Sequence, residues 1–274
     1  MQVKNIMSNN LIMIDKNQNI CDALTMMKKN KVSRLPVVST NKEEHKKELV
    51  GIATEKDIAI KLGSSKYGNM APSHFHMSTL MAKDVIAVEE DANVSDVAKI
   101  LLENNIGGVP IFANGVLKGL VSKSDFIDMC KGRAYENYHV KDLMTTELVY
   151  VSPEDRLVHA RRVILDSHIG RLLVSDDNKL LGILTSKDVA MAFVNFRKTV
   201  SDKHMKTQIK NLTVADAMTS NVKKISVDDS IATVATKMLE TGFNGYPVID
   251  NEDNIVGIIT KSDLLALIVK LEEE

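Results

Sequence analysis

Two cysteines are all that the 274 residues hold. Cys21 and Cys130 lie far apart in sequence inside apparent helices, neither with a second cysteine nearby. Both therefore read as small buried hydrophobes of a reducing compartment, not as a disulfide framework or a thiolate metal site. Charge of one sign is lacking too. Lys and Arg number 35 against 36 Asp and Glu, a formal net charge of −1 with a pI of about 6.7. That removes the bulk electrostatic reason to expect nucleic acid or an acidic membrane surface. No apolar run approaches the roughly 18 to 20 residues a membrane helix needs, and Met1-Gln2-Val3-Lys4-Asn5 lacks the layout of a signal peptide. A cytoplasmic protein without a membrane partner is expected.

Catalytic constellations are missing as well. There is no Gly-rich phosphate loop and no Gly-x-Ser-x-Gly, so no enzyme is expected. The seven histidines, His45, His74, His76, His139, His159, His168 and His204, show no ligand-like spacing except His74-x-His76. That pair has no cysteine or carboxylate beside it, and no metal is assigned. Lys28-Lys29 and Lys223-Lys224 read as solvated surface, and most of the 14 methionines as core filling.

What is present is repetition. Gly51-Ile52-Ala53-Thr54-Glu55-Lys56-Asp57, Gly119-Leu120-Val121-Ser122-Lys123-Ser124-Asp125, Gly182-Ile183-Leu184-Thr185-Ser186-Lys187-Asp188 and Gly257-Ile258-Ile259-Thr260-Lys261-Ser262-Asp263 share one pattern. Each ends an apolar run and opens an amphipathic one, which predicts a strand leading into a helix whose first turn carries the hydroxyl and the aspartate. An apolar residue followed by methionine opens each unit at Met7, Met81, Met144 and Met218. From that Met to the Asp is 50, 44, 44 and 45 residues, the excess in the first unit coming from the charged insertion Asn41 to Lys47, which reads as a longer hairpin loop. Met7 to Met144 and Met81 to Met218 are both 137 residues, as if a two-unit block were duplicated. Two domains follow, 1–133 and 134–274.

Within the fourth unit, Val222 to Val227 alternates as a strand, Asp228-Asp229-Ser230 supplies caps, and Ile231, Val234, Ala235 and Met238 show helical spacing. Gly245 to Asp250 and Ile255 to Ile259 read as strands, and Lys261 to Val269 as a helix. The order is β-α-β-β-α. So small a unit leaves an apolar face uncovered, so units should pair. Gly63 to Met77 reads as a mobile linker by composition, and Asn195 to Lys210 as a basic helix leading into the fourth unit.

Together with Leu35-Pro36-Val37, Val109-Pro110-Ile111 and Tyr246-Pro247-Val248 at the second strand, the four stretches resemble CBS motifs, which occur in tandem as Bateman modules. The resemblance covers essentially the whole chain, with motifs at about 3–62 and 78–130 in one module and 140–193 and 214–268 in the other. By layout it is similar to stand-alone four-CBS proteins, many of them archaeal, and to the gamma subunit of the AMP-activated protein kinase. The resemblance implies an α/β protein whose modules assemble into a disk, by themselves or with a second copy. It implies adenosyl ligands such as AMP, ADP or ATP in clefts between motifs, no catalytic cofactor, and occupancy signalled to a regulated protein not identified by the sequence.

A carboxylate suits a ribose, since its two acceptor oxygens match adjacent hydroxyl donors. The resemblance gives that role to Asp57, Asp125, Asp188 and Asp263. The hydroxyls of Thr54, Ser122, Thr185 and Thr260 lie at helix starts, where free amides favour an anion, and the glycine is expected to let the backbone approach the ligand. The same Ser/Thr-x-x-Asp is also a capping box that binds nothing. Cations for phosphate differ among the units: Ser33-Arg34 and Gly170-Arg171 carry an arginine, Gly107-Gly108 and Asn244-Gly245 do not. Carried over from the family's composite clefts, Val32 and Arg34 serve the site of Asp125, Ile169 and Arg171 that of Asp263, Ile106 that of Asp57, and Phe243 that of Asp188, where the ring stacks on adenine or belongs to the core. Arginine gives bidentate phosphate contacts, which makes Asp125 and Asp263 the tighter sites. Leu173 stands where the other units have proline, which puts the start of that strand in question. The alternatives to a nucleotide sensor are a scaffold with vestigial sites and a regulatory subunit of a nucleic-acid-binding, transport or metabolic complex.

Overall fold

The computed structural model describes residues 1–40, 47–64, 70–177 and 179–273. Four β-α-β-β-α motifs follow one another, an α/β fold as the pattern predicts. The first holds β1 (Ile14–Asp15), α1 (Ile20–Asn30), β2 (Arg34–Thr40), β3 (Lys47–Thr54) and α2 (Glu55–Leu62). The second holds β4 (Val88–Glu89), α3 (Val94–Glu103), β5 (Gly108–Ala113), β6 (Val116–Ser122) and α4 (Lys123–Ile127). The third holds β7 (Tyr150–Val151), α5 (Leu157–Asp166), β8 (Arg171–Asp176), β9 (Lys179–Thr185) and α6 (Ser186–Thr199), followed by α7 (Asp202–Gln208). The fourth holds β10 (Ile225–Ser226), α8 (Ile231–Thr241), β11 (Gly245–Ile249), β12 (Ile255–Thr260) and α9 (Lys261–Glu273). In each motif the short first strand pairs parallel with the second, and the second antiparallel with the third.

Local chemistry explains the boundaries. Asn19 caps α1 by accepting from the amides of Cys21 and Asp22, and Ser230 caps α8 by accepting from the amide of Thr233. Ile231, Val234, Ala235 and Met238 are all buried, as their spacing predicts. The alternating run from Val222 yields only two residues of strand, because it pairs with β11 at Ile225 and Ser226 alone. The basic stretch from Asn195 is split: α6 runs on to Thr199, held by buried Phe193, Val194 and Arg197, and Ser201 starts α7. Asn41 to Lys46 lie outside the described residues, with Thr40 and Lys47 paired on either side. In the stretch expected to be a mobile linker, 65–69 lie outside the described residues, while Phe75 and Met77 are buried in the core. His76 Nδ1 lies 2.6 Å from the carbonyl oxygen of Asn17.

Leu173 keeps the register of its proline counterparts. It lies opposite Ile183, as Pro36 lies opposite Ile52 and Pro110 opposite Leu120. Its amide donates to the Val149 carbonyl at 3.2 Å, a bond proline cannot make.

Two compact units form, and neither is a consecutive stretch. One gathers Ile12–Asp84 and Val149–Val222, the bodies of motifs 1 and 3, and the other Met1–Leu11, Val85–Leu148 and Lys223–Glu274, the bodies of motifs 2 and 4. In the former α2 packs on α6, with Ile58, Leu62, Val189 and Phe193 in the shared core. Arg197 Nη2 donates to the carbonyl of Leu62 at 2.6 Å and Nη1 to that of Met70 at 2.8 Å; Arg161 donates to the carbonyls of Ala59 and Ile60. Two guanidinium groups thus satisfy the orphan carbonyls of Ile60 and Leu62 at the end of α2. In the other unit α3 and α4 pack on α9 around Leu101, Phe126, Leu264 and Ile268.

The opening segments are exchanged between motifs. Ser8 bridges to Leu120, Ala82 to Ile52, Thr145 to Ile258 and Thr219 to Ile183. The methionine before each bridge lies on the recurring glycine of the motif it joins. A Cβ added at Gly51 would come within 2.7 Å of Met81 Sδ, and at Gly119 and Gly182 within 2.8 Å of Met7 and Met218 Sδ; at Gly257 the neighbour is Met144. The expectation that these glycines make room for a ligand is thereby corrected: the space is filled by methionine.

Candidate functional site

The four recurring stretches take one geometry. A β-strand ends at the hydroxyl residue, whose extended backbone makes it the N-cap of the helix that follows. The aspartate three residues on turns back. Its Oδ2 accepts from the cap amide at 2.8, 2.7, 2.8 and 2.7 Å for Asp57, Asp125, Asp188 and Asp263. The same oxygen accepts from the cap hydroxyl at 2.7, 2.8, 2.5 and 2.8 Å. The capping box is realised at Thr54, Ser122 and Thr185, while the Thr260 hydroxyl accepts from the Ser262 amide at 3.2 Å; all four carboxylates are half-buried. Among the described residues Oδ1 of Asp57 and of Asp188 accepts no hydrogen bond.

The strand start before each hairpin is hooked to that helix start. The amides of Glu55, Lys123, Ser186 and Lys261 donate to the carbonyls of Ser33, Gly107, Gly170 and Asn244 at 3.2, 3.1, 3.1 and 3.1 Å. Strand register completes the arrangement: Arg34 faces Thr54 and Arg171 faces Thr185, where the other motifs set Gly108 against Ser122 and Gly245 against Thr260. Each arginine therefore stands beside the hydroxyl and carboxylate of its own motif. Val32, Ile106, Ile169 and Phe243 also occupy one equivalent place. Each follows a residue of positive φ that ends the first helix or its last turn: Lys31 (54°), Asn105 (48°), His168 (54°) and Gly242 (71°). Only the glycine announces such a turn in sequence. Phe243 is 44% exposed, so it is not a core ring; it lies 5.7 Å from the Tyr246 ring, with Lys223 Nζ 5.9 Å from its own centroid.

By unit, Val32, Arg34, Thr54, Asp57, Ile169, Arg171, Thr185 and Asp188 belong with motifs 1 and 3, and Ile106, Ser122, Asp125, Phe243, Thr260 and Asp263 with motifs 2 and 4. Within each unit, the two spacer residues between hydroxyl and aspartate turn out to join the paired motifs. Lys123 Nζ donates to Ser262 Oγ at 2.7 Å, and buried Lys261 donates reciprocally to Ser124 Oγ at 2.8 Å. The counterpart in the other unit is Glu55 with Lys187, 3.8 Å apart. Burial pushes the Glu55 carboxyl above its ordinary value, Lys187 and Arg34 oppose that, and the Asp188 carboxylate adds to it. The signal was present as Lys-Ser in the same two places of motifs 2 and 4, but spacers carry no meaning until the partner motif is known.

Among the described residues no group of three or more His, Cys, Asp and Glu is arranged to hold a metal, and no helix is long and apolar enough to cross a membrane. Comparison with known proteins agrees with the geometry. Protein MJ1225 of Methanocaldococcus jannaschii, described as uncharacterised, is 29% identical over 262 residues, covering 89% of this chain and 90% of that one. A 33.4 kDa protein of Thermofilum pendens is 22% identical over 96% of this chain and 89% of its own length. The crystal structure of MJ1225 superposes with a TM-score of 0.82 over 98% of this chain and all of its own, and an uncharacterised protein of Pyrococcus horikoshii shares the fold at a TM-score of 0.63 over 97% and 99%. The CBS domain family matches at residues 3–64, 77–132, 140–195 and 214–270, and the chain belongs to that family as a protein of four CBS domains.

Proposed function

We propose that the protein is a non-enzymatic regulatory module that binds adenine nucleotides or related adenosyl ligands and signals occupancy to a partner protein. The observation that carries this reading is the fourfold recurrence of a half-buried aspartate whose Oδ2 is held at a helix start. Where Oδ1 takes no hydrogen bond, it remains available to a diol. Arg34 and Arg171 supply cations suited to bidentate phosphate contacts in two of the motifs. The similar protein MJ1225 has itself been proposed as an archaeal homologue of g-AMPK, which supports the same class.

In this reading 1–133 and 134–274 act as Bateman modules. Asp57, Asp125, Asp188 and Asp263 read the ribose, Val32, Ile106, Ile169 and Phe243 meet the base, and Arg34 and Arg171 meet phosphate. A ligand that binds one arrangement of the motifs better shifts the population toward it, and regulation follows when a partner prefers that arrangement. A thermal-shift panel of AMP, ADP, ATP, S-adenosylmethionine and NAD tests the proposal, with Asp125→Asn, Asp263→Asn, Arg34→Ala and Arg171→Ala alongside. A ligand at a hundred times its Kd adds about 2.7 kcal/mol. The reading expects a shift with at least one adenosyl compound, reduced by the variants when each is measured against its own ligand-free Tm. The capping boxes at Thr54, Ser122 and Thr185 favour a second reading, a scaffold whose aspartates only cap; no shift with any of the compounds would favour it.

A further inference from the structure

The residue that follows the cap hydroxyl differs in charge between the two compact units. In the unit of motifs 2 and 4 it is Lys123 and Lys261, each donating to a serine of the partner motif. In the unit of motifs 1 and 3 the same places hold Glu55 and Ser186. Ser186 is buried, and its hydroxyl lies 3.4 Å from the Gly170 carbonyl of its own motif. Where one unit sets two ammonium groups, the other sets a carboxylate and a hydroxyl. The carboxylate is the less expected of these, because its side chain is only 15% exposed. Its nearest printed cation, Lys187 of the partner motif, is itself exposed and stands 3.8 Å away, too far for a hydrogen bond. Lys187 therefore neutralises Glu55 incompletely.

Glu55 also lies within electrostatic reach of the two groups that a nucleotide would meet. Arg34 of β2, which faces Thr54 across the hairpin, favours the Glu55 carboxylate, and Asp188 of α6 opposes it. The Glu55 amide donates to the carbonyl of Ser33, the residue before Arg34, at 3.2 Å, so strand start and helix start move as one piece. We infer that Glu55 sets the charge selectivity of the unit of motifs 1 and 3, which takes an adenosyl ligand with one phosphate or none and discriminates against a triphosphate. The inference rests on the adenosyl reading of the same helix starts. Arg34 offers a bidentate contact to one phosphate group. Each further phosphate adds negative charge near a poorly solvated carboxylate, where like charges repel more strongly than in water. In the unit of motifs 2 and 4 the same place carries an ammonium group, which attracts the added charge. The effect acts on the charge of the ligand and leaves the recognition of adenosine itself unaltered.

The test uses the full chain carrying Asp125→Asn and Asp263→Asn, which leaves the aspartates of motifs 1 and 3 as the ribose readers. Adenosine, AMP and ATP, which differ only in phosphate, are titrated by calorimetry at one ionic strength in the presence of EDTA, so that no metal offsets their charge. AMP should bind more tightly than ATP. Glu55→Gln, which keeps the size of the side chain, should tighten ATP about tenfold and AMP about threefold, and leave adenosine unchanged. Glu55→Lys, which copies Lys123, should tighten ATP further. An ATP-to-adenosine affinity ratio that stays the same in Glu55→Gln would overturn the inference. So would equal tightening of all three compounds, which a purely structural Glu55–Lys187 pair would produce, or ATP binding more tightly than AMP while Glu55 is in place. Binding with an unaltered ratio removes this inference alone, whereas no binding of any of the three, the chain with all four aspartates included, removes the adenosyl reading with it.

Discussion

Single residues carry the clearest energetic statements. Glu55 is held among Lys187, Asp188 and Arg34 with its carboxyl raised above the ordinary 4.5. Between that value and the raised one the folded chain holds more protons than the unfolded one, so this residue's contribution is complete below 4.5 and is lost as pH rises through the folded value. Glu55→Gln should therefore raise Tm at pH 7 and leave it nearly unchanged at pH 4; the same Tm change at both would show that the charge is not penalised. Arg197 is 2% exposed, and its contacts with the Leu62 and Met70 carbonyls hold the end of α2 and the backbone at Met70. Arg197→Ala leaves those carbonyls unsatisfied and should cost about 3 kcal/mol in urea denaturation, with lysine restoring only part. Burial pushes the Cys130 thiol up to about 12, so it should resist thiol reagents until the chain unfolds, while half-buried Cys21 reacts first; equal rates for the two would contradict the packing.

Elements show why the repeat has the residues it has. The glycine of each recurring stretch and the methionine of each opening signature are the two sides of one contact, made when opening segments are exchanged between neighbouring motifs. Gly119→Ala should then destabilise by about 1–3 kcal/mol, because a methyl group there overlaps Met7. Gly170→Ala meets nothing within 4 Å and should be close to neutral, so similar losses at both positions would count against the contact as the cause. The strand alternation, the cap residues and the helix periodicity were all legible beforehand, since each acts over three or four residues. The αL turns at Lys31, Asn105 and His168 were not, since such residues take that conformation only when the surrounding contacts hold them there.

At the scale of the molecule, each compact unit draws on both halves of the chain. A fragment of 1–133 keeps α2 and α4 but loses α6 and α9, and so exposes Ile58, Leu62, Phe126 and Ile127. It should escape that exposure by pairing α2 and α4 with those of a second fragment, since the missing helices are repeats of its own. Light scattering after size exclusion should report a dimer; a stable monomer would mean that those helix faces need no partner.

The sequence by itself determined the motif, its number and its order, because hydrophobic alternation, capping chemistry and a repeat of 137 residues are properties of the chain read locally or against itself. It also placed the aspartates and hydroxyls at helix starts, and both readings of them, cap and ligand, rest on that placement. Only the tertiary structure decided which motifs share a core, what fills the space over the glycines and which charges meet: Lys123 with Ser262, Glu55 with Lys187, Lys99 with Glu273. Those partners lie more than a hundred residues apart in chain order, and which apolar face covers which is settled by packing complementarity across the whole fold, not by any pattern that a window of sequence contains.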